Sequence, residues 1–518
     1  MPNCRAVFSS RFCERQPLEA LNFLFQGTLA AAAPVNLLYG FAGVLLGTLV
    51  GVLPGLGPAG AIALLLPLAL HAPPLAYLIM LFGITYGAQY GGSTTSILVN
   101  IPGEASSVIT CLDGYAMARQ GRAGPALGIA AFGSFIGGTL AIFGLAFLAP
   151  ALAELGLHFG PPEYAALMLF GLTALVYLAH GPMDKALLMA LFGSLLASVG
   201  LDPLTGTPRF TFGILILRDG VGLTPVVIGL FGVSEVLLNL EAKTGEVFQN
   251  KVRGLLPTLQ DWKDSAAPIA RGTLLGFFIG AIPGLNVVIA TFASYAIEKK
   301  ISKHPEKFGT GAIEGVAGPE TANNAASCSG WIPLLSLGLP TGSVTSLIFG
   351  ALMIHGLAPG PLFIKNSPEV FWGLLGSMVI GNAMLLILNL PLIGLWIRVL
   401  RLPYFFLFPL IILFGIIGAY TVSGNVGEVV ITIIFGLVGF LMKKFAYEPA
   451  PMVLGLVIGP LLETAIRRSL IMSRGSFAVF VNRPIAAAFM ILALFMLLSP
   501  LLTRRRLGQE IIEKLEEN

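Results

Sequence analysis

The chain has 518 residues, of which 56% are hydrophobic and only 11% charged, with a formal net charge of +4 and a mean hydropathy of +0.87. Soluble domains carry about 25% charged residues, so a soluble globular fold is excluded, and the thinly spread basic residues form no patch suited to nucleic acid. The apolar runs are continuous rather than alternating, which excludes a β-barrel and leaves an all-α polytopic membrane protein.

Residues 1–17 form a polar, basic N-terminal tail with no apolar core of its own, so no signal peptide is expected. A first membrane half follows over 18–240. A spanning helix needs roughly 20 apolar residues, and the runs 35–53, 75–99, 125–150, 164–180, 185–200 and 223–240 are candidates. The first run passes into LPGLG at 53–57. Pro-Gly removes a backbone donor and permits a left-handed turn, so the segment 41–70 is expected to be a hairpin that turns at Pro54, Gly55, Leu56 and Gly57. Such a break frees carbonyls for a cation and exposes a helix N-terminus to an anion. The alternative is a packing kink, common where Gly and Pro enter membrane helices.

The second run ends in YGGSTTSILVNIPGE, 90–104, where Ser93, Thr94, Thr95 and Ser96 are followed by Asn100 and Glu104. Hydroxyls hold carboxylate oxygens without a buried positive charge. They also bond back to the preceding helical turn, so two of the four at most are expected to be ligands. Asp113 reads as a loop residue and Glu235 as a helix cap.

A cytoplasmic loop is expected over 241–267, and a second membrane half over 268–400. The segment 268–297 begins and ends beside basic residues, which suits a re-entrant hairpin turning at IPGLN, 282–286, with Pro283, Gly284 and Asn286 at its tip. The stretch 318–343 carries Glu320, Thr321, Asn323, Asn324, Ser327, Ser329 and Thr341 in apolar surroundings. Ionisable residues at membrane depth are functional by default, so Glu104 and Glu320 are the expected cation- or proton-coupling groups. Amide oxygens suit Na⁺ and amide hydrogens suit carboxylates; the competing role of an Asn pair is helix–helix bonding worth about 1 kcal/mol. Run 370–397 closes this half. C-terminal helices follow over 401–503, from runs 403–421, 425–442 and 484–502, and 504–518 is a polar tail. Roughly eleven to thirteen crossings are expected in all. One span separates the arginines of 467–483 from Arg504, Arg505 and Arg506, so one of these groups breaks the positive-inside rule.

The halves repeat. LGTLVGVLPGLG at 46–57 matches LGFFIGAIPGLN at 275–286, IPGEAS at 101–106 resembles LPTGSV at 339–344, and GSFIGG at 133–138 resembles GSMVIG at 376–381. Loop charge predicts that the copies are inverted. Lys and Arg gather at 113–123 in copy one and at 298–308 in copy two, which places these loops in the cytoplasm, and 71–74 and 359–368 in the periplasm. Two inverted structural repeats with broken or re-entrant helices mark secondary transporters, whose sites lie near the midplane. The readings from other classes are a membrane channel and an intramembrane enzyme. HExxH is absent, and the histidines are scattered. Cys4, Cys13, Cys111 and Cys328 show no metal-type spacing and read as small apolar residues.

Three segments, GVLPGLGPAGAIALLLPL (51–68), YGGSTTSILVNIPGEASSVITCLDGYAMARQGRAGPALG (90–128) and EGVAGPETANNAASCSGWIPLLSLGLPTGSVTSLIFGALMIHGLAPGPLF (314–363), resemble the large membrane subunit of tripartite tricarboxylate transporters. The resemblance runs from about residue 19 to about residue 505, departing where Thr341 and Gly342 follow Pro340 in place of a direct Pro-Gly. It implies a multi-pass protein of the bacterial inner membrane, a periplasmic solute-binding protein and a small membrane subunit of about four helices. It further implies di- or tricarboxylate import driven by Na⁺ or H⁺, with no other cofactor and no ATPase subunit; the chain has no phosphate-binding GxxxxGK[ST] loop. The expected substrate residues are Ser93, Thr94, Thr95, Ser96, Asn323, Asn324, Ser327 and Thr341. Na⁺ is expected near Gly55, Asn100, Gly284 and Asn323, with Pro54, Gly57, Glu104, Pro283, Asn286 and Glu320 completing the coupling set.

Overall fold

A computed structural model describes residues 16–53, 57–67, 72–100, 102–156, 158–178, 182–202, 205–241, 254–282, 287–399 and 407–498. In chain order the helices begin with α1 (Gln16–Ala31), α2 (Pro34–Val52), α3 (Pro58–Leu65), α4 (Pro74–Val99), α5 (Thr110–Arg119) and α6 (Ala123–Gly156). Next come α7 (Pro161–Leu178), α8 (Met183–Ala197), α9 (Leu223–Val227), α10 (Ser234–Glu241), α11 (Leu259–Ala281), α12 (Val287–Ile301) and α13 (Glu314–Ser329). The chain closes with α14 (Ser343–Ile354), α15 (Phe363–Asn366), α16 (Pro368–Asn389), α17 (Ile393–Val399), α18 (Leu407–Ser423), α19 (Val426–Lys444), α20 (Pro449–Met472), α21 (Val479–Asn482) and α22 (Pro484–Leu498). One two-residue strand pair, Gly200–Leu201 with Pro208–Arg209, interrupts this helical order.

This is the expected all-α polytopic membrane protein. Among the described residues, α2, α6, α16, α19 and α20 are long and apolar enough to cross a bilayer by themselves. Of these, α20 was not among the expected runs, because Glu463, Arg467 and Arg468 interrupt its hydropathy. Helix α1 was likewise not among them. Prolines stand in the first turns of α2, α3, α4, α16 and α20, where a missing N–H costs no hydrogen bond. Helix α11 starts inside the expected polar loop. Thr258 caps it by accepting from the Asp261 N–H, while the Asp261 carboxylate accepts from the Thr258 N–H.

The chain divides into two compact units. The first holds residues 1–157, 224–338 and 347–441; the second holds 158–223, 339–346 and 442–518. In the first unit, two helix pairs pack through glycine. A β-carbon at Gly43, Gly47 or Gly51 of α2 would collide with the carbonyl oxygen of Met80, Ile84 or Ala88 of α4. A β-carbon at Gly272, Gly276 or Gly280 of α11 would collide in the same way with Gly318, Ala322 or Ala326 of α13. Residue numbers rise together in both sets, so α2 runs parallel to α4 and α11 runs parallel to α13. Small residues let membrane helices approach this closely. A parallel pair also requires the intervening segment to return to its starting side, which α3 and α12 accomplish after the breaks that follow α2 and α11.

The second unit packs α8 on α20, with Gly193 against the Met452 carbonyl and Gly455 against that of Ala190. Its polar groups are ionic. Asp202 accepts from Arg467 at 3.0 Å and lies 3.4 Å from Arg209, whose guanidinium also bonds Glu463 at 2.8 Å; Glu163 pairs with Arg483 at 2.7 Å.

Candidate functional site

Helix α4 carries Gln89, Tyr90 and the hydroxyl run 93–96, all buried. It meets α13 head to tail. Ser93 donates to Glu320 Oε2 at 2.6 Å, the Gln89 amide donates to Ser327 Oγ, and the Phe82 ring stacks on Trp331 with centroids 4.2 Å apart. Numbers fall along α4 as they rise along α13, so these two helices are antiparallel.

Glu320 is 1% exposed, and both of its oxygens are occupied by hydroxyls: Ser93 on one and Thr110 of α5 on the other. Among the described residues it makes no ion pair. Glu104 stands nearby on the turn after α4, where Ser106 donates to its Oε1 at 2.6 Å and Asn323 Nδ2 approaches the same oxygen at 3.4 Å. Asn324 donates to Ser134 of α6 at 2.6 Å, and Ser134 donates to the Glu320 carbonyl at 3.3 Å. The result is a polar layer of two carboxylates, amides and hydroxyls inside apolar packing. Two amide oxygens in it, Gln89 Oε1 and Asn323 Oδ1, are buried without a donor.

The hydroxyl run divides as helical geometry requires. Ser93 reaches Glu320, Thr94 bonds back to the Tyr90 carbonyl at 3.3 Å, and Ser96 is fully buried. Thr95 bonds back to the Gly91 carbonyl at 3.1 Å and sits 3.3 and 3.2 Å from the carbonyl oxygens of Gly51 and Val52. It therefore ties α4 to the end of α2, directly before the first break. A cleft beside the layer is lined by Tyr90, Ser93, Thr94, Leu127, Ser134 and Asn389.

The other expected residues fall elsewhere. Asn100 is an exposed helix C-cap with φ 58°, a left-handed position that Asn tolerates. Gly57 is the N-cap of α3, with open space around it. Thr341 belongs to the second compact unit, where its N–H donates to Thr345 Oγ1 at 2.8 Å. Pro54, Gly55, Pro283, Gly284 and Asn286 lie outside the described residues.

Sequence reasoning missed Gln89, Thr110, Ser134 and Asn382. Gln89 stands one helical turn before Ser93, and Ser134 is the serine of the repeated GSFIGG motif, so helical period and repeat carried a signal. Thr110 carried none. Asp113 is also misread by sequence. It is fully buried and accepts from the Gly309, Gly311 and Ala312 N–H groups, each at 2.8 Å, and from the Tyr295 hydroxyl at 2.9 Å. With Gln120 donating to the Thr310 carbonyl at 2.6 Å, it fastens the 113–123 segment to the loop after α12. At the opposite side of the repeat pattern, the Leu75 side chain packs on Gly373.

The structure also pairs residues that the repeat makes equivalent. Gln89 and Ser327 are 238 residues apart and bond each other. The same shift takes Ser93 to Trp331 and Phe82 to Glu320, so the Ser93–Glu320 contact becomes the Trp331–Phe82 contact. It also takes Asn100 to Gly338, and both are left-handed helix caps. Thr139 and Asn382, 243 residues apart in the GSFIGG repeat, bond each other at 2.9 Å.

Three comparisons bear on identity. The family model described as the tripartite tricarboxylate transporter TctA family matches residues 37–454. A protein of Agrobacterium vitis described as an uncharacterized 52.8 kDa protein in the TAR-I ttuC' 3' region is 51% identical over 478 residues, covering 92% of this chain and 95% of that relative. A second protein of the same organism, described as an uncharacterized protein in the TAR-II ttuC' 3' region, is 50% identical over 227 residues, 44% of this chain and 94% of its own length. No solved structure matches.

Proposed function

We propose, from the premise that the chain belongs to the tripartite tricarboxylate transporter TctA family, that it imports a di- or tricarboxylate across the bacterial inner membrane. In this reading a periplasmic solute-binding protein delivers the substrate, a small membrane subunit accompanies the chain, and a Na⁺ or H⁺ gradient drives uptake. The observation that carries it is the α4–α13 layer, where the buried Glu320 and the half-buried Glu104 meet neutral donors and, among the described residues, no cationic side chain. A further anion cannot enter such a place uncompensated. Coupled entry of cation and carboxylate resolves the charge. The donor-free oxygens Gln89 Oε1 and Asn323 Oδ1, with Glu104 beside Asn323, are the hard ligands that Na⁺ prefers. Glu320, held by two hydroxyls, offers a carboxylate for a proton instead.

The parallel pairs α2/α4 and α11/α13, the antiparallel crossing of α4 and α13, and the bonds between repeat-equivalent residues support an inverted repeat about an axis through Gln89 and Ser327. Residues that self-pair lie on a two-fold axis, and transporters built this way place substrate near it. One bundle then moves against the other in a lift-like motion.

The test is uptake into vesicles holding the chain, the small subunit and the binding protein. Saturable accumulation that needs both the binding protein and an imposed Na⁺ or H⁺ gradient is the expected result. Normal rate and affinity in both Asn323→Ala and Thr94→Ala would refute this site, and unsaturable flux without the binding protein would mean a channel.

A further inference from the structure

The internal pairing of the repeats exposes an imbalance at the centre of the first compact unit. In the half around Glu320 the carboxylate and the Asn324 amide N–H are matched. Ser93 and Thr110 donate to the carboxylate, and Asn324 donates to Ser134. The 238-residue relation carries each member of this half onto the other half. Glu320 corresponds to Phe82, Ser93 to Trp331, and Asn324 to Tyr86. The 243-residue relation takes Ser134 to Ser377.

The opposite half has Phe82 at the carboxylate position and Ile348 at that of Thr110, yet it keeps a donor at the positions of Ser93 and Asn324. Trp331 is 1% exposed and Tyr86 5% exposed; the indole N–H and the Tyr86 hydroxyl face each other, but neither has a partner in full hydrogen-bonding geometry among the described residues, and the Tyr86 O–H lacks an acceptor in either case. The two side chains are neighbours, both ringed by Phe82: the Phe82–Trp331 centroids are 4.2 Å apart and the Phe82–Tyr86 centroids 6.3 Å. An indole N–H can only donate, so nothing but an acceptor can satisfy it. Buried donors without one are rare in folded proteins. Tyr86 also lines a cleft with Ser377, Gly381 and Asn36, whereas at the matching place Asn324 is closed onto Ser134.

We propose that Trp331 Nε1 and the Tyr86 hydroxyl receive one carboxylate group of the transported substrate, beside the Phe82 ring that stands where Glu320 stands in the opposite half. The protein supplies one carboxylate to its two-fold pattern and the substrate supplies the other. Uncharged donors suit this duty, because they release an anion more readily than a buried guanidinium would. The inference rests on the transport reading and adds to it a subsite formed by residues outside the hydroxyl and amide runs.

The test uses the full chain with its partner subunits in vesicles, and benzoate, succinate and citrate as mono-, di- and tricarboxylate probes. Whichever probe the wild type accumulates is then titrated against Trp331→Phe, Tyr86→Phe and, as a control, Trp262→Phe. Loss of one hydrogen bond to a charged group corresponds to roughly a tenfold change in binding. A KM raised about tenfold in Trp331→Phe and in Tyr86→Phe, with Trp262→Phe unchanged, is the expected result. Unchanged KM in both variants overturns the proposal and assigns the donors to a buried water. If the wild type accumulates none of the three probes under an ion gradient, the transport reading fails first and this subsite with it. Should Trp331→Phe not reach the membrane, Tyr86→Phe, which removes a single oxygen, decides the question by the same KM criterion.

Discussion

Two groups of carboxylates are treated in opposite ways, those of the second compact unit and those of the α4–α13 layer in the first. In the second unit, Asp202 meets Arg467 and Arg209, Glu463 meets Arg209 and Arg467, and Glu163 meets Arg483. Each of these carboxylates has a guanidinium. In the α4–α13 layer, Glu320 and Glu104 have only hydroxyls and an amide among the described residues, whereas elsewhere in the first unit Asp261 meets Arg122 and Glu298 meets Arg271. Buried charge normally requires a partner. A permanent partner makes a structural strut; at Glu320 that role would fall, in the transport reading proposed above, to an exchangeable cation. Asp113 is a third case, a carboxylate held by backbone N–H groups and a tyrosine, and it fastens two segments of the first unit together.

Mutations can break this contrast. The largest effect is expected at the glycine seams that bring the polar layer together. Gly276→Leu drives a side chain into the Ala322 carbonyl, and the variant should fail to accumulate as a folded, monodisperse protein by size-exclusion chromatography. Asp113→Ala comes next. It strands three backbone donors, each costing about 1–3 kcal/mol when buried unsatisfied, and a thermal melt should show a loss of about 3 kcal/mol or more. Glu320→Gln keeps the shape but not the charge. It should leave the melting temperature close to that of the wild type and lower kcat/KM for coupled uptake roughly 10- to 100-fold, as expected for charged hydrogen bonds. Wild-type kinetics in this variant would move Glu320 into the structural class. Arg467→Ala should do the reverse, costing about 2 kcal/mol of stability while leaving KM within about twofold of the wild type by the same scale. The smallest effect belongs to Arg122→Ala. Its side chain is 43% exposed where it meets Asp261, so less than about 1 kcal/mol should be lost, and that loss should shrink as salt is added.

Much of this molecule is legible in its linear chain. Spans announce themselves by apolar length, and the repeat by LPGLG and IPGLN with their flanking glycines. Ser93, Asn323, Asn324, Ser327, Glu104 and Glu320 stand out as polar residues in apolar sequence, and the structure gathers them into one layer. Asn100 stands out equally and becomes an exposed cap, because composition cannot separate a turn-forming Asn from a ligand. Gln89 escapes notice inside an otherwise ordinary helix. Charge counting falters at Arg467 and Arg483. The positive-inside rule counts arginines as free, and these two are bound to acidic groups brought from Asp202, Glu463 and Glu163.

Hydropathy and motif order are local properties that a linear reading preserves, so the class and the family are readable from the chain alone. Which carboxylates meet a guanidinium and which donors lack an acceptor emerge only in three dimensions. Those outcomes depend on side chains 238 or 243 residues apart meeting in space, and a hydrogen bond exists only when both ends arrive.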